Sequence, residues 1–142
     1  MPCLDSSFII DYWEGEYVAA GYLNNLADSE PIFVPTVVLY ELYTGALRSN
    51  APTEDIETVA ADLDWTTPLP FGDGPAREAA AIRVALRERG EQINAADLLI
   101  AGTARDADMT LVTTDSDFNR VPDLQVDNPS QSASDEPEDA DE

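Results

Sequence analysis

Five acidic residues of this chain stand where acids are unexpected: Asp5, Glu41, Asp97, Asp115 and Asp117 all border or interrupt apolar runs. Asp5 follows "MPCL" and Asp115 follows "LVTT", so each comes off the end of a short segment that reads as a buried strand. In open α/β folds ligands bind at the carboxyl ends of parallel strands, which gives an acid there a functional meaning. Taken alone, Asp5 better suits the cap of a following helix. Glu41 breaks into "VVLYELY", and its neighbours one helical turn away are Val37, Val38, Thr44 and Gly45, with no base among them. A buried, unpaired carboxylate is costly, so such groups are paired or hold a metal; the alternative is a slightly rotated helix that leaves Glu41 at a solvated edge. Asp97 follows Asn94 by three, the spacing of a capping box, and an acid in a first turn also favours the helix dipole. Yet the "LLIAGTA" behind it is apolar on nearly every face. Such a helix is central to a fold, and its first turn abuts the strand ends. Asp117 fits plain turn chemistry as well as it fits a site.

The chain contains no histidine, which excludes Ser-His-Asp and Cys-His catalysis and His-ligated zinc. Its single cysteine, Cys3, can form no intrachain disulfide and reads as a small core residue between Pro2 and Leu4. Any chemistry must therefore run on carboxylates, hydroxyls, arginines or a bound metal. Were Asp5, Glu41, Asp97 and Asp115 to converge to about 5 Å, each pair would repel by roughly 3 kcal/mol at an effective dielectric near 20. A counter-charge is then needed, and none of the four has an arginine close in sequence on a matching face. Hard oxygen donors with water completing the shell suit Mg²⁺ or Mn²⁺.

The elements that must position these acids can be read in order. "MPCLD" is a short strand and "SSFIIDYW" a helix capped by Ser6 or Ser7; a second helix covers Glu16 to Ala27. "PIFVP" is a brief buried strand, and Thr36 caps a helix that ends near Ser49 and Asn50. Thr53 to Leu63 reads as a helix and "WTTPLPFGDGP" as a strand remnant and loop. Pro75 starts a strong helix that Gly90 stops, and Asn94 caps the next. "MTLVTTD" and "LQVDN" are the last strands. Short strands alternating with helices predict an α/β fold: a mostly parallel sheet between helix layers. The expected organisation is one domain over residues 1–128 and an acidic, disordered tail over 129–142, where no apolar residue exceeds alanine in size.

Charge sets the environment. The chain of 142 residues carries 29 acids against 7 bases, a net charge of −22, and every base is arginine. Six acids lie in residues 129–142, so most of the excess is spread over the fold. A dispersed acidic surface without lysine suits a protein from a halophile, because a Debye length of about 3 Å at 1 M salt removes the self-repulsion. The alternative is an acidic protein that binds cations or basic partners. No apolar run approaches the roughly 18 residues that span a bilayer, and the start lacks the basic and apolar regions of a signal peptide, which points to a cytoplasmic protein without a membrane partner.

"LDSSFIID", "VVLYELYTGA", "INAADLLIAGTA" and "LVTTDSDFNRVPDLQV" together resemble the PIN-domain ribonucleases, in particular the small VapC-type toxins of toxin–antitoxin pairs. The likeness runs from Pro2 to about Asn128. It implies a three-layer α/β/α fold, a homodimer, Mg²⁺ or Mn²⁺, an RNA substrate and a cognate antitoxin protein. Asp5, Glu41, Asp97 and Asp115 fall on that family's acidic quartet. Ser7 matches a small polar residue that orders the site, Thr113 is placed to orient the last acid, and Asp117 matches a second acid that some members carry. The missing lysines and the acidic tail depart from the pattern and bear on how RNA is gripped; Arg83 and Arg87, which share a helix face, are among the available bases. Competing readings are a PIN nuclease of RNA processing that is not a toxin, and a PIN module that binds without catalysis. A receiver-type phosphoacceptor also clusters aspartates at strand ends, but it needs a lysine that this chain lacks.

Overall fold

A computed structural model describes residues 1–26 and 30–131, with the side chains of 52–54 left aside. Five strands, β1 (Pro2–Leu4), β2 (Phe33–Pro35), β3 (Thr67–Leu69), β4 (Thr110–Val112) and β5 (Val126–Asp127), form one sheet in the order β3-β2-β1-β4-β5. Every pairing is parallel. Helices α1 (Ser6–Trp13), α2 (Tyr17–Asn24), α3 (Thr36–Leu47), α4 (Pro52–Asp62), α5 (Asp73–Glu88) and α6 (Ala95–Asp106) flank it in an α/β/α arrangement. The chain builds outward from β1 to β3, then returns to the other side of β1 with β4 and β5. The strand order therefore reverses between β1 and β4, the place where open parallel sheets leave a crevice.

The strands are only two or three residues long, and β1 is fully buried, as near-continuous apolar runs in parallel sheets are. Cys3, Leu4, Val34, Leu111 and Val112 form the sheet's share of the core, with Phe8, Ile9, Val38, Ile82, Leu86, Ile100 and Phe118 packed on them. Burial, and Asp5 next in effect, pushes the Cys3 thiol up to about 12, so it stays an unreactive packing group. The helix read as central is so: Leu98, Ile100, Ala101, Gly102, Thr103 and Ala104 of α6 are all buried. Its closest neighbour is α5. A Cβ on Gly102 would lie 2.7 Å from the Ala79 nitrogen and 2.7 Å from the Pro75 carbonyl oxygen, so the two helices approach as closely as they do only because position 102 has no side chain.

Several boundaries differ from expectation for local reasons. Neither Ser6 nor Ser7 caps α1; Asp5 holds the cap position, and its side chain makes no capping hydrogen bond. Thr36 is the first residue of α3 rather than its cap, which is Pro35; its hydroxyl instead accepts from the Phe71 N–H at 3.2 Å, tying α3 to the loop before α5. α5 begins at Asp73, two residues before Pro75, since proline needs no amide partner anywhere in a first turn. Its end is as expected: Gly90 has φ +72°, and the Glu91 N–H reaches back to the Leu86 carbonyl at 2.8 Å. α2 is Tyr17–Asn24, and Ala27 of the expected helix lies outside the described residues. At the other end, Pro129 is buried and Asn128 Oδ1 accepts from the N–H groups of Ser130 and Gln131, so a helical turn over 129–131 runs past the expected boundary at 128. The rest of the expected tail, 132–142, lies outside the described residues. Among the described residues no helix is long and apolar enough to cross a membrane.

Candidate metal centre

Leu4 pairs with Val112, so the residues that follow β1 and β4 leave the sheet side by side at the reversal point. Asp5 is 3% exposed and Thr113 fully buried. Freed from capping, the Asp5 carboxylate turns inward, and its Oδ2 accepts from Thr113 Oγ1 at 2.7 Å and from Ser7 Oγ at 2.9 Å. The two hydroxyls also meet each other at 3.0 Å. Ser7 Oγ accepts the Thr114 N–H at 3.1 Å, and Thr113 Oγ1 accepts the Asp115 N–H at 3.0 Å. One network thus fixes Asp5, Ser7, Thr113 and the backbone that launches Asp115.

Asp115 caps the 3₁₀ turn Ser116–Arg120, its Oδ1 accepting from the Asp117 N–H at 2.9 Å. That turn swings Asp117 back towards the cluster. Asp97, 7% exposed, occupies the first turn of α6 with the expected cap: Asn94 Oδ1 accepts the Asp97 N–H at 2.9 Å, while Asn94 Nδ2 donates to Asp97 Oδ2 at 3.0 Å. One oxygen from each of Asp97, Asp115 and Asp117 lies within 4.8 Å of the others. Asp5 and Glu41 stand outside this tightest group but close to it. Glu41, half-buried on α3, accepts at Oε1 from Ser6 Oγ at 2.9 Å.

Electrostatics records the crowding. Burial first, and then Asp5, Asp115, Glu41 and Asp117 in that order, together push Asp97 up to about 7. Glu41 is raised by burial, lowered by the Ser6 hydrogen bond and raised again by Asp5. Among the described residues the only arginine paired to any of the five is Arg120, whose Nη2 reaches Asp117 Oδ1 at 2.8 Å. Asp5, Glu41, Asp97 and Asp115 make no ion pair among the described residues.

Each of the five carboxylates engages one oxygen and leaves the other without a hydrogen-bond partner among the described residues: Asp5 Oδ1, Glu41 Oε2, Asp97 Oδ1, Asp115 Oδ2 and Asp117 Oδ2. Oriented carboxylates with a spare oxygen are what a cation site requires, the held oxygen fixing the rotamer and the free one facing the ion. The clustered ligand atoms among the described residues are carboxylate oxygens, and such a set fits a hard divalent ion of the Mg²⁺ or Mn²⁺ type. Three orienting groups escaped the sequence reading: Ser6, 35 residues from Glu41; Asn94, read only as a cap; and Arg120. Only the last two leave any local signal, since both sit three residues from their partners.

A five-stranded parallel sheet with helices on its faces and an acidic cluster at the strand-order reversal defines a class of α/β/α domain. The chain belongs to the PIN-domain family, whose model matches residues 3–124. Among solved structures it is similar to VapBC2 from Rickettsia felis bound to a DNA fragment from their promoter, with 25% identity, 89% of this chain and 97% of that one covered, and a TM-score of 0.82. It is also similar to FitAcB from Neisseria gonorrhoeae, with 25% identity, 92% and 99% covered, and a TM-score of 0.80. A further likeness is to VapC20 from Mycobacterium tuberculosis, a sarcin-ricin loop cleaving toxin; at 14% identity, 88% and 99% covered and a TM-score of 0.64 it concerns the fold alone. Among curated proteins none matches.

Proposed function

We propose that this chain is an Mg²⁺- or Mn²⁺-dependent endoribonuclease, a hydrolase that acts in the cytoplasm as the toxin of a toxin–antitoxin pair. The observation that carries the reading is the set of oriented carboxylates, each with one oxygen held and one free, gathered without arginine neutralising any but Asp117. Asp5, Glu41, Asp97 and Asp115 are the proposed metal-binding and catalytic acids, with Asp117 completing the tightest group. A bound divalent ion supplies water acidic enough to act as a nucleophile near neutral pH and charge to offset the phosphoryl oxygens. The chain's own part is positional. Ser7 and Thr113 hold Asp5, Asn94 holds Asp97, Ser6 holds Glu41, and the buried ends of β1 and β4 keep the cluster rigid. Cleavage by water rather than by the adjacent 2′-hydroxyl leaves 5′-phosphate ends.

An antitoxin as partner is supported by the VapBC2 likeness, and RNA as substrate by membership of the PIN family and the resemblance of the four motifs to its ribonucleases. Expressing the chain alone and together with its genomic neighbour tests both: growth arrest that only the pair relieves is expected, and unimpaired growth with the chain alone would contradict the toxin reading. Support for a homodimer comes from an apolar groove of about 500 Å³ between α3 and α6, where Val37, Ala96 and Leu99 lie beside Tyr40, itself 65% exposed. A single-chain mass by light scattering would refute it. The acid excess without lysine supports work in concentrated salt, as in a halophile. Turnover at saturating RNA should then rise towards molar KCl, and a fall would count against that habitat.

A further inference from the structure

With 29 acids against 7 arginines, carboxylate partners for an arginine are plentiful on this surface. Arg77, Arg89, Arg105 and Arg120 each find one, pairing with Asp73, Glu91, Glu78 and Asp117. Among the described residues Arg48, at the end of α3, does not, and neither do Arg83 and Arg87, which unlike it stand together. They lie one turn apart on the exposed face of α5, where two like charges at i,i+4 repel rather than stabilise, and neither makes an ion pair among the described residues. Both line one cavity of about 270 Å³. Its floor includes buried Leu86 and Leu98, and Gln92 and Asn94 add two amides at its edge. Asn94 joins this cavity to the metal centre directly, because the same side chain donates to Asp97 Oδ2 and retains a second N–H.

Cationic forks, an apolar floor and amides in one cavity match the parts of a nucleotide: phosphate oxygens for guanidinium, a π-face for the floor and Arg planes, and base edges for amides. We infer that the Arg83–Arg87 cavity is a nucleotide subsite that holds the RNA strand next to the bond cut at the metal centre. This inference rests on the ribonuclease reading above. It also says how so acidic a protein holds a polyanion: Arg83 and Arg87 together form a local cationic spot flanking the acids, and salt screens the rest.

The test is steady-state cleavage of a random-sequence 20-nucleotide RNA pool in Mn²⁺ by the full chain. Arg83→Ala/Arg87→Ala should raise KM about tenfold or more with kcat little changed, and should flatten the dependence of log KM on log[KCl] by about 1.4, as for two single-strand phosphate contacts. Arg83→Lys/Arg87→Lys should restore much of the affinity. Arg48→Ala, the same charge change per site at an exposed position away from the cavity, should leave KM as in wild type. A double alanine variant that behaves like Arg48→Ala, or that loses only kcat, overturns the subsite. So does one whose mass by light scattering falls relative to wild type, since the cavity would then belong to a contact between copies. If the wild-type chain cleaves no RNA, the ribonuclease reading itself fails and the subsite falls with it.

Discussion

Asp5→Asn is expected to lower the proposed metal-dependent RNA cleavage by at least about 10³-fold while the domain stays folded. The reason lies in how the two oxygens of Asp5 divide their work. Oδ2 accepts from Ser7 and Thr113, and the asparagine oxygen can accept the same two bonds, so the network joining β1 to β4 survives. The other oxygen becomes an NH₂ group, a donor where a cation needs an acceptor, and one negative charge is lost from the set. Removing one group that stabilises charge in a water-excluded site costs about 3–4 kcal/mol of transition-state free energy, or 10²–10³-fold, and a metal ligand adds lost occupancy to that. Cleavage of an RNA pool and thermal melting in EDTA, measured on the same preparation, check both halves. Wild-type activity in a folded Asp5→Asn variant would remove Asp5 from the catalytic set.

Asp97→Asn is expected to invert the usual relation between a mutation and stability. The wild-type carboxyl is pushed from 3.8 to about 7 by burial and by its four acidic neighbours. Between those values the native state holds a proton that the unfolded chain has released, so stability falls as pH rises from about 4 to about 7 and stays low above it. A shift of this size corresponds to a few kcal/mol at most, of which solvent near the site screens a part. Glu41, also raised, adds to the same trend. Asparagine cannot ionise. In EDTA at pH 8, Asp97→Asn should therefore melt about 5 °C or more above wild type, and the gap should close towards pH 4. Mn²⁺ should reverse the order, because an ion bound only by the native wild-type site stabilises it by mass action. Melting curves at several pH values, with and without Mn²⁺, decide the matter; an Asp97→Asn protein less stable than wild type in EDTA at pH 8 would show that the carboxylate is neutralised by some means other than an ion.

The same acids show what a sequence reveals and what it conceals. Asp5 and Asp115 are legible because strand ends are legible: an apolar run stops, a polar residue follows, and in a parallel sheet that position is the crevice. Glu41 is legible because a base-free carboxylate inside an apolar helix demands an explanation. Asp117 is ambiguous in sequence because its place is set by a 3₁₀ turn, whose direction depends on Asp115 capping it, and turn residues tolerate many geometries. The cap of α1 misleads for a related reason. Serines favour caps in general, but here both hydroxyls are taken by carboxylates, one 35 residues away in the chain, and no local propensity encodes such a contact. Strand order, too, is a matter of tertiary packing: only the sheet shows that β4 returns beside β1 and closes the site.

The most direct measurement is diffraction from crystals grown with Mn²⁺, with data collected at the manganese absorption edge. An anomalous peak between Asp97, Asp115 and Asp117, with the free oxygens of Asp5 and Glu41 facing it directly or through water, is the predicted result. Absence of the peak, with the carboxylates turned apart or each taken up by an arginine, would contradict the account.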